Sequence, residues 1–339
     1  MRKNEKRRPP KIYHAYRGTR RGGKRALAVI GIILAAVALL LLSCYVNHRI
    51  RSGAESKLLT PPGTLVEVAG KQMHVYTEGS GTETLVFLSG GGTCAPALDF
   101  KPLYSLLSDG CRIAVVEKFG YGYSDDSGGR SRDIDTILED TRSALLAAGA
   151  EGPYILCPHS MSGLEALRWA QKYPDEVTAI AGLDMAVPEA YGDMPINMFT
   201  LRLGQFAARA GIARLIPGLA DSDAVRYGTL TETEKAAYRA LFYRRTASPD
   251  MLAEAAAVKD NARTVAAGGT PQVPMLLFIS DGSGGTGFSE DVWRDFQRDY
   301  LSGVENGRSI ELDCPHYVHD HEYQRISAEI RNFIEALSQ

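Results

Sequence analysis

Between residues 26 and 46 the chain reads ALAVIGIILAAVALLLLSCYV, an apolar run with no charge in it. At about 1.5 Å of rise per residue such a run covers a hydrocarbon core of roughly 30 Å, so the pattern predicts a transmembrane helix over 26–46. The next stretch, 47–63, carries Ser, Gly and TPPG and is expected to be a short linker. From residue 64 onward the hydrophobicity comes in short blocks. TLVEVAG, KQMHVYTEG, TLVFLSG, RIAVVEKF, YILCPH, VTAIAGLDM and MLLFISDG read as strands. Between the later ones, DIDTILEDTRSALLAAG and SGLEALRWAQKY place apolar residues at helical spacing, the second stopping before Pro174. Near-continuously apolar strands that alternate with amphipathic helices predict an α/β fold with a mostly parallel central sheet flanked by helices. The first two strands are expected to form an antiparallel hairpin at one edge.

The pattern changes over 188–270. NMFTLRLGQFAARAGIARLIPGL, TETEKAAYRALFYRR and PDMLAEAAAVKDNARTVAAGG all read as helix, more than a single crossover between strands requires. They predict a helical cap inserted into a core formed by 64–187 and 271–339.

Composition refines this picture in two ways. With 339 residues, 45% hydrophobic and 23% charged, the chain is globular and not disordered. Its net charge of −2 conceals an asymmetry, because residues 1–25 hold eleven Lys and Arg against one acid, Glu5. The remainder is acidic, which argues against nucleic acid as a partner of the folded part. Under the positive-inside rule the basic tail 1–25 stays cytoplasmic, so the large C-terminal part is expected outside the cell, on a single-pass anchor in the cell membrane. A cleaved signal peptide is the rival reading, but no A-x-A-like site follows the apolar run. Acylation of Cys44 in LLSC is a further alternative, and the tail could also grip anionic lipid heads. The five cysteines form no C-x-x-C pair and read as small buried side chains; neither a metal nor an organic cofactor is implied.

The chemistry gathers around YILCPHSMSGLEALRWAQKYPDEV, residues 154–177. A serine hydroxyl becomes a nucleophile only when a base takes its proton and a carbonyl can reach it. A sharp strand-to-helix turn gives that exposure, usually in the form G-x-S-x-G. Here Pro158 and Ser162 stand at the outer glycine positions around Ser160. Proline fixes φ near about −65°, which suits a strand end, and Ser162 adds only a hydroxymethyl group, with Gly163 following. The ordinary alternative for such a serine is a helix N-cap.

PHSMSGLEALRWAQKYPDEV resembles the GHSMGG elbow of α/β-hydrolase fold enzymes, with His159 and Met161 matching. The resemblance runs from about Thr64 to Leu337 and leaves the cap unmatched. TLVFLSGGGTCAPALDFKPLYSLLS is similar to the third strand and oxyanion loop, RIAVVEKFGYGYSD to the fourth strand, and CPHYVHDHEYQRISAEIRNFIEAL to the terminal segment. It implies an α/β-hydrolase fold with Ser160 as nucleophile and His316, at the GHY position, as general base; His319 and His321 are read as polar loop residues. For the acid that orients His316 it leaves two candidates. Asp281 lies after the strand that follows the cap, where the family most often keeps its acid. Asp184 lies after the strand that follows the elbow helix, at a site some haloalkane dehalogenases use, and is preferred because turn glycines follow Asp281. Gly91 or Gly92 and the amide of Met161 are the expected oxyanion donors. No G-K-[ST] follows the glycine run, so a nucleotide loop is rejected. Glu117 and Lys118, in place of the family's usual acid, read as an ion pair below the site.

The function implied is a carboxylesterase-like serine hydrolase working through an acyl-enzyme on a small-molecule ester, thioester or amide. SGGGT also has a likeness to the loop of proline iminopeptidases, which makes an aminopeptidase the sharper variant. A non-catalytic extracytoplasmic binding module that keeps the fold is the reading from another class.

Overall fold

The computed structural model describes residues 16–337. Its first element, α1 (Tyr16–Glu55), is a single helix of 40 residues, long and apolar enough to cross a membrane. The linker expected over 47–63 is therefore helical for its first half. Nothing in NHRIRSGAE breaks the helix beyond one glycine, and the chain leaves it only through a 3-10 turn at Ser56–Leu58 ahead of Pro61 and Pro62.

The strands β1 (Thr64–Val68), β2 (Lys71–Glu78), β3 (Thr84–Leu88), β4 (Arg112–Glu117), β5 (Tyr154–Pro158), β6 (Val177–Leu183), β7 (Met275–Ile279) and β8 (Gly307–Glu311) form one sheet in the order β1-β2-β4-β3-β5-β6-β7-β8. β2 runs antiparallel to both of its neighbours and the rest of the sheet is parallel. The expected edge hairpin is present. Its two-residue turn has Ala69 at φ 51° and Gly70 at φ 75°, the double positive φ that matches the twist of paired strands. The eighth strand, GRSIE, was not among the predicted ones: it is a half-exposed edge strand with no apolar run to mark it.

Around the sheet lie α2 (Pro96–Asp99), α3 (Lys101–Tyr104), α4 (Ile134–Ala147) and α5 (Gly163–Lys172). Between β6 and β7 come α6 (Ala190–Asp193), α7 (Met198–Arg209), α8 (Asp223–Arg226), α9 (Glu232–Arg245) and α10 (Pro249–Ala267). The chain ends with α11 (Glu290–Ser302), α12 (Val318–His321) and α13 (Tyr323–Leu337). One sheet face buries Val86, Leu156, Ile180 and Leu277 against α4, α5, α10 and α11. The other buries Leu85, Phe87, Ile155 and Phe278 against α3 and α13. α10 closes the inserted helices onto the core, where Asn261 accepts from the Ile134 amide at 2.9 Å and donates to the Arg132 carbonyl at 3.1 Å. Those bonds tie it to the start of α4.

Candidate active site

The elbow forms where β5 ends. Ser160 has φ 53°, a left-handed conformation that a side chain enters at a cost and keeps only when its surroundings enforce it. Two glycines make room for it. A Cβ on Gly90 would stand 2.7 Å from Cβ of Ser160, and a Cβ on Gly163 would stand 2.2 Å from the Ala186 carbonyl oxygen. The close approach that G-x-S-x-G assigns to its last glycine is thus made one residue later, at Gly163. Ser162 fits because its hydroxyl lies 2.6 Å from the Leu88 carbonyl and 2.8 Å from that of His159. Pro158 breaks no rung, since the His159 amide points to β3, 2.9 Å from the Leu88 carbonyl, and the continuous β5–β6 ladder stops at Leu156. The Ser160 hydroxyl is half-buried and has no hydrogen-bond partner among the described residues.

His316 and Asp184 are brought together, and Asp281 is not. His316 Nδ1 lies 2.5 Å from Asp184 Oδ2, with both residues buried. Three more donors converge on that carboxylate: the Ser280 amide at 2.7 Å and Trp293 Nε1 at 2.8 Å on Oδ1, and the Ser280 hydroxyl at 2.7 Å on Oδ2. Asp184 sits at φ 50° just past β6. Two residues on, the Ala186 amide donates to the Ser160 carbonyl at 2.8 Å, so one loop carries the carboxylate and braces the elbow. A carboxylate only accepts here, so Nδ1 of His316 carries the proton and Nε2 is left as the basic nitrogen. Asp281 instead accepts from the Ser283 amide at 2.8 Å, closing a local turn of the kind aspartate favours.

His159 packs beside His316, the ring centroids 4.6 Å apart. Its Nε2 donates to the His316 carbonyl at 3.2 Å. Burial, then the neighbouring His316 and His319, holds its pKa well below the usual histidine value, so the ring is a neutral spacer. On the other side, a Cβ on Gly285 would stand 2.7 Å from His316 Cδ2, and the Trp293 ring meets the imidazole edge-on at 5.8 Å. The His316 imidazole is gripped from several directions.

Of the expected oxyanion donors, Gly91 lies against Met161, where an added Cβ would be 3.0 Å from Met161 Cε. Gly92, at φ 84°, donates its amide to the Tyr121 hydroxyl at 3.4 Å. That hydroxyl donates in turn to Glu254 of α10, which Lys118 Nζ meets at 2.7 Å. Burial pushes the Glu254 carboxyl up, but Lys118 and Arg132 outweigh it and hold the group below its ordinary value. Lys118 therefore does not pair with Glu117. Glu117 instead faces His74 Nδ1 at 3.0 Å and accepts from the Ala97 and Tyr123 amides. The other two C-terminal histidines are not polar loop residues either. His319 is fully buried in α12 with Nε2 3.0 Å from Asp99, and His321 is 3.1 Å from Asp223. Sequence reading missed Ser280, Trp293 and Tyr121, whose roles depend on contacts across long stretches of chain.

The sequence profile of the alpha/beta hydrolase family matches residues 85–329. The chain belongs to the alpha/beta hydrolase family. The chain is similar to the uncharacterized protein YbdG of Bacillus subtilis (strain 168), 39% identical over 265 residues that cover 76% of this chain and 81% of that protein. It also resembles the 2-(acetamidomethylene)succinate hydrolase of Mesorhizobium japonicum, 30% identical over 121 residues covering 35% and 41% of the two chains. Among solved structures, the enol-lactonase of Burkholderia xenovorans LB400 superposes with a TM-score of 0.58 at 18% identity, over 80% of this chain and all of that one. At that identity the superposition speaks for the fold alone.

Proposed function

We propose that this alpha/beta hydrolase is a serine hydrolase, held in the cell membrane by α1, that cleaves an acyl ester, thioester or amide through an acyl-enzyme. The observation that carries this reading is the buried Asp184–His316 hydrogen bond, set beside a strained, solvent-reachable serine whose own carbonyl is tied to the Asp184 loop. In the reaction Ser160 Oγ bonds to the acyl carbon while its proton passes to His316 Nε2. Asp184 fixes the tautomer and stabilises the imidazolium that results. The developing oxyanion takes the amides of Gly91 and Met161, a pair of donors of which each is worth on the order of 10²- to 10³-fold in rate. As the tetrahedral adduct collapses, the leaving oxygen, sulfur or nitrogen receives the proton from His316. Water then repeats the sequence on the acyl-Ser160 ester and restores the free serine.

The class of bond is tested with acyl esters, thioesters and amides side by side, because a relative's name records hydrolysis of 2-(acetamidomethylene)succinate while the expected nucleophile serves all three. The mechanism itself is tested with a fluorophosphonate probe. Labelling of the wild type and none of Ser160→Ala is the expected result. Labelling that persists in Ser160→Ala, or a folded wild type that never labels, would overturn it.

A further inference from the structure

The helix α7 turns its large apolar side chains outward. Phe199, Leu203 and Phe206 stand at i, i+4 and i+7, within about 60° of one another around the helix, and are 76%, 56% and 53% exposed. Ala208, about 180° around from Phe199, is the residue that α7 buries. Close to that inner side, Gln205 donates to the Ala247 carbonyl at 2.9 Å. A helix whose outer face met water would have the opposite arrangement. Arg202 and Arg209, both exposed, border the apolar stripe. The turn that follows adds Leu215, Ile216 and Leu219, also exposed.

The same segment grips α1. Gly211, at φ 78°, lies so close to it that an added Cβ would stand 2.5 Å from the Cys44 carbonyl oxygen and 2.6 Å from His48 Cβ. One turn on, Arg214 reaches both Glu55 carboxylate oxygens at 2.7 and 2.6 Å, the Ser52 hydroxyl at 3.1 Å and His48 Nδ1 at 3.1 Å. Its guanidinium also covers the Tyr243 ring, 4.1 Å from the centroid. Cys44 belongs to the apolar run, and the first charge after it, Arg49, lies only about 7.5 Å further along the helix. A segment in contact with Cys44 is therefore at the depth of the lipid headgroups, and side chains that project beyond it meet lipid instead of bulk water.

We propose that α7 and the 211–219 turn form an interfacial surface whose partner is the lipid bilayer crossed by α1. This rests on the reading of α1 as a membrane span. Phe199, Leu203, Phe206 and the turn leucines enter the boundary between headgroups and acyl chains, and Arg202 and Arg209 meet lipid phosphates. The inserted helices are thereby held flat on the membrane by two contacts, the grip on α1 and this apolar face.

The test uses the full chain reconstituted in vesicles of phosphatidylcholine and phosphatidylglycerol. Because all five cysteines are buried, the variants Leu203→Cys and Phe206→Cys can each carry one environment-sensitive fluorophore. Leu34→Cys, in the apolar run, and Leu146→Cys, on α4, are the references. Spin-labelled phospholipid is expected to quench the Leu203 and Phe206 positions several-fold more than Leu146. Quenching at Leu34 with Leu203 and Phe206 as open to water as Leu146 would overturn the inference and leave the span intact. Shielding of those two positions from aqueous quencher without lipid quenching would overturn it in favour of a second protein copy on that face. No quenching at Leu34 would remove the span, and the inference with it.

Discussion

At the scale of single residues, the two aspartates separate a carboxylate bonded to His316 from one that closes a turn. Asp184 accepts four hydrogen bonds in a fully buried setting, one of them from His316. Replacing it with Asn keeps the volume but lets the imidazole choose the wrong tautomer, so Asp184→Asn is expected to lower kcat by roughly 10⁴-fold. The Asp281 carboxylate accepts from the Ser283 amide in a local turn, while its backbone amide donates to the Cys314 carbonyl at 3.0 Å, so Asp281→Asn is expected to leave kcat near the wild-type value. Equal losses in a steady-state assay of the two purified variants would refute the assignment. His159 offers a second, independent measurement. Its folded pKa is depressed by burial and by two neighbouring histidines from an ordinary value of 6.5. Below that value the unfolded chain takes up a proton that the folded one refuses, so stability is complete above pH 6.5 and declines as the pH falls toward the folded pKa. The slope approaches about 1.4 kcal/mol per pH unit for one proton. Denaturant midpoints between pH 7 and pH 5 should therefore fall more steeply for wild type than for His159→Gln; parallel curves would show that the ring titrates normally.

Among the elements, those read from the sequence are the ones whose causes are local. The β1–β2 hairpin, the apolar β3, β5, β6 and β7, and the serine elbow each declare themselves within a few residues, by alternation, an apolar block or a turn. Where readings departed from the structure, the deciding partner lies far along the chain. The last turns of α1, up to Glu55, are met by Arg214 of the inserted helices. β8 exists because β7 offers an open edge to a segment with little apolar character of its own. Lys118 chooses Glu254, 136 residues away, over the adjacent Glu117, and the Gly92 amide meets the Tyr121 hydroxyl, which that same Glu254 anchors. Ion-pair choice within a buried network is set by desolvation and geometry once the fold has formed, so spacing in the sequence carries no trace of it. The turn at Ser160 and the placing of His316 beside Asp184 were legible through the resemblance of their motifs. Ser280 and Trp293, which hold Asp184, were not, because a serine after a strand and a tryptophan in an amphipathic helix serve many purposes.

For the whole molecule, the question is which side of the membrane holds the site. Eleven basic residues against one acid precede an apolar helix, and the remainder of the chain is acidic. A charge bias of that size resists translocation of the short basic segment, so the positive-inside rule predicts a tail that stays in the cytoplasm and a hydrolase domain that is carried across. The buried state of every cysteine makes this measurable with little background. Leu146, 77% exposed on α4, is replaced by Cys in one variant, and Asn4 in the basic tail in another. A membrane-impermeant maleimide added to intact cells is expected to label Leu146→Cys at once and Asn4→Cys only after permeabilisation. The reverse pattern would put the site in the cytoplasm. Loss of the Asn4 label even after lysis, with a shortened chain in the medium, would mean that the apolar run is a cleaved signal. In that case the grip of Arg214 on Glu55 and Ser52 would hold a severed helix stub, and the apolar face of α7 would be left facing water with no bilayer to cover it.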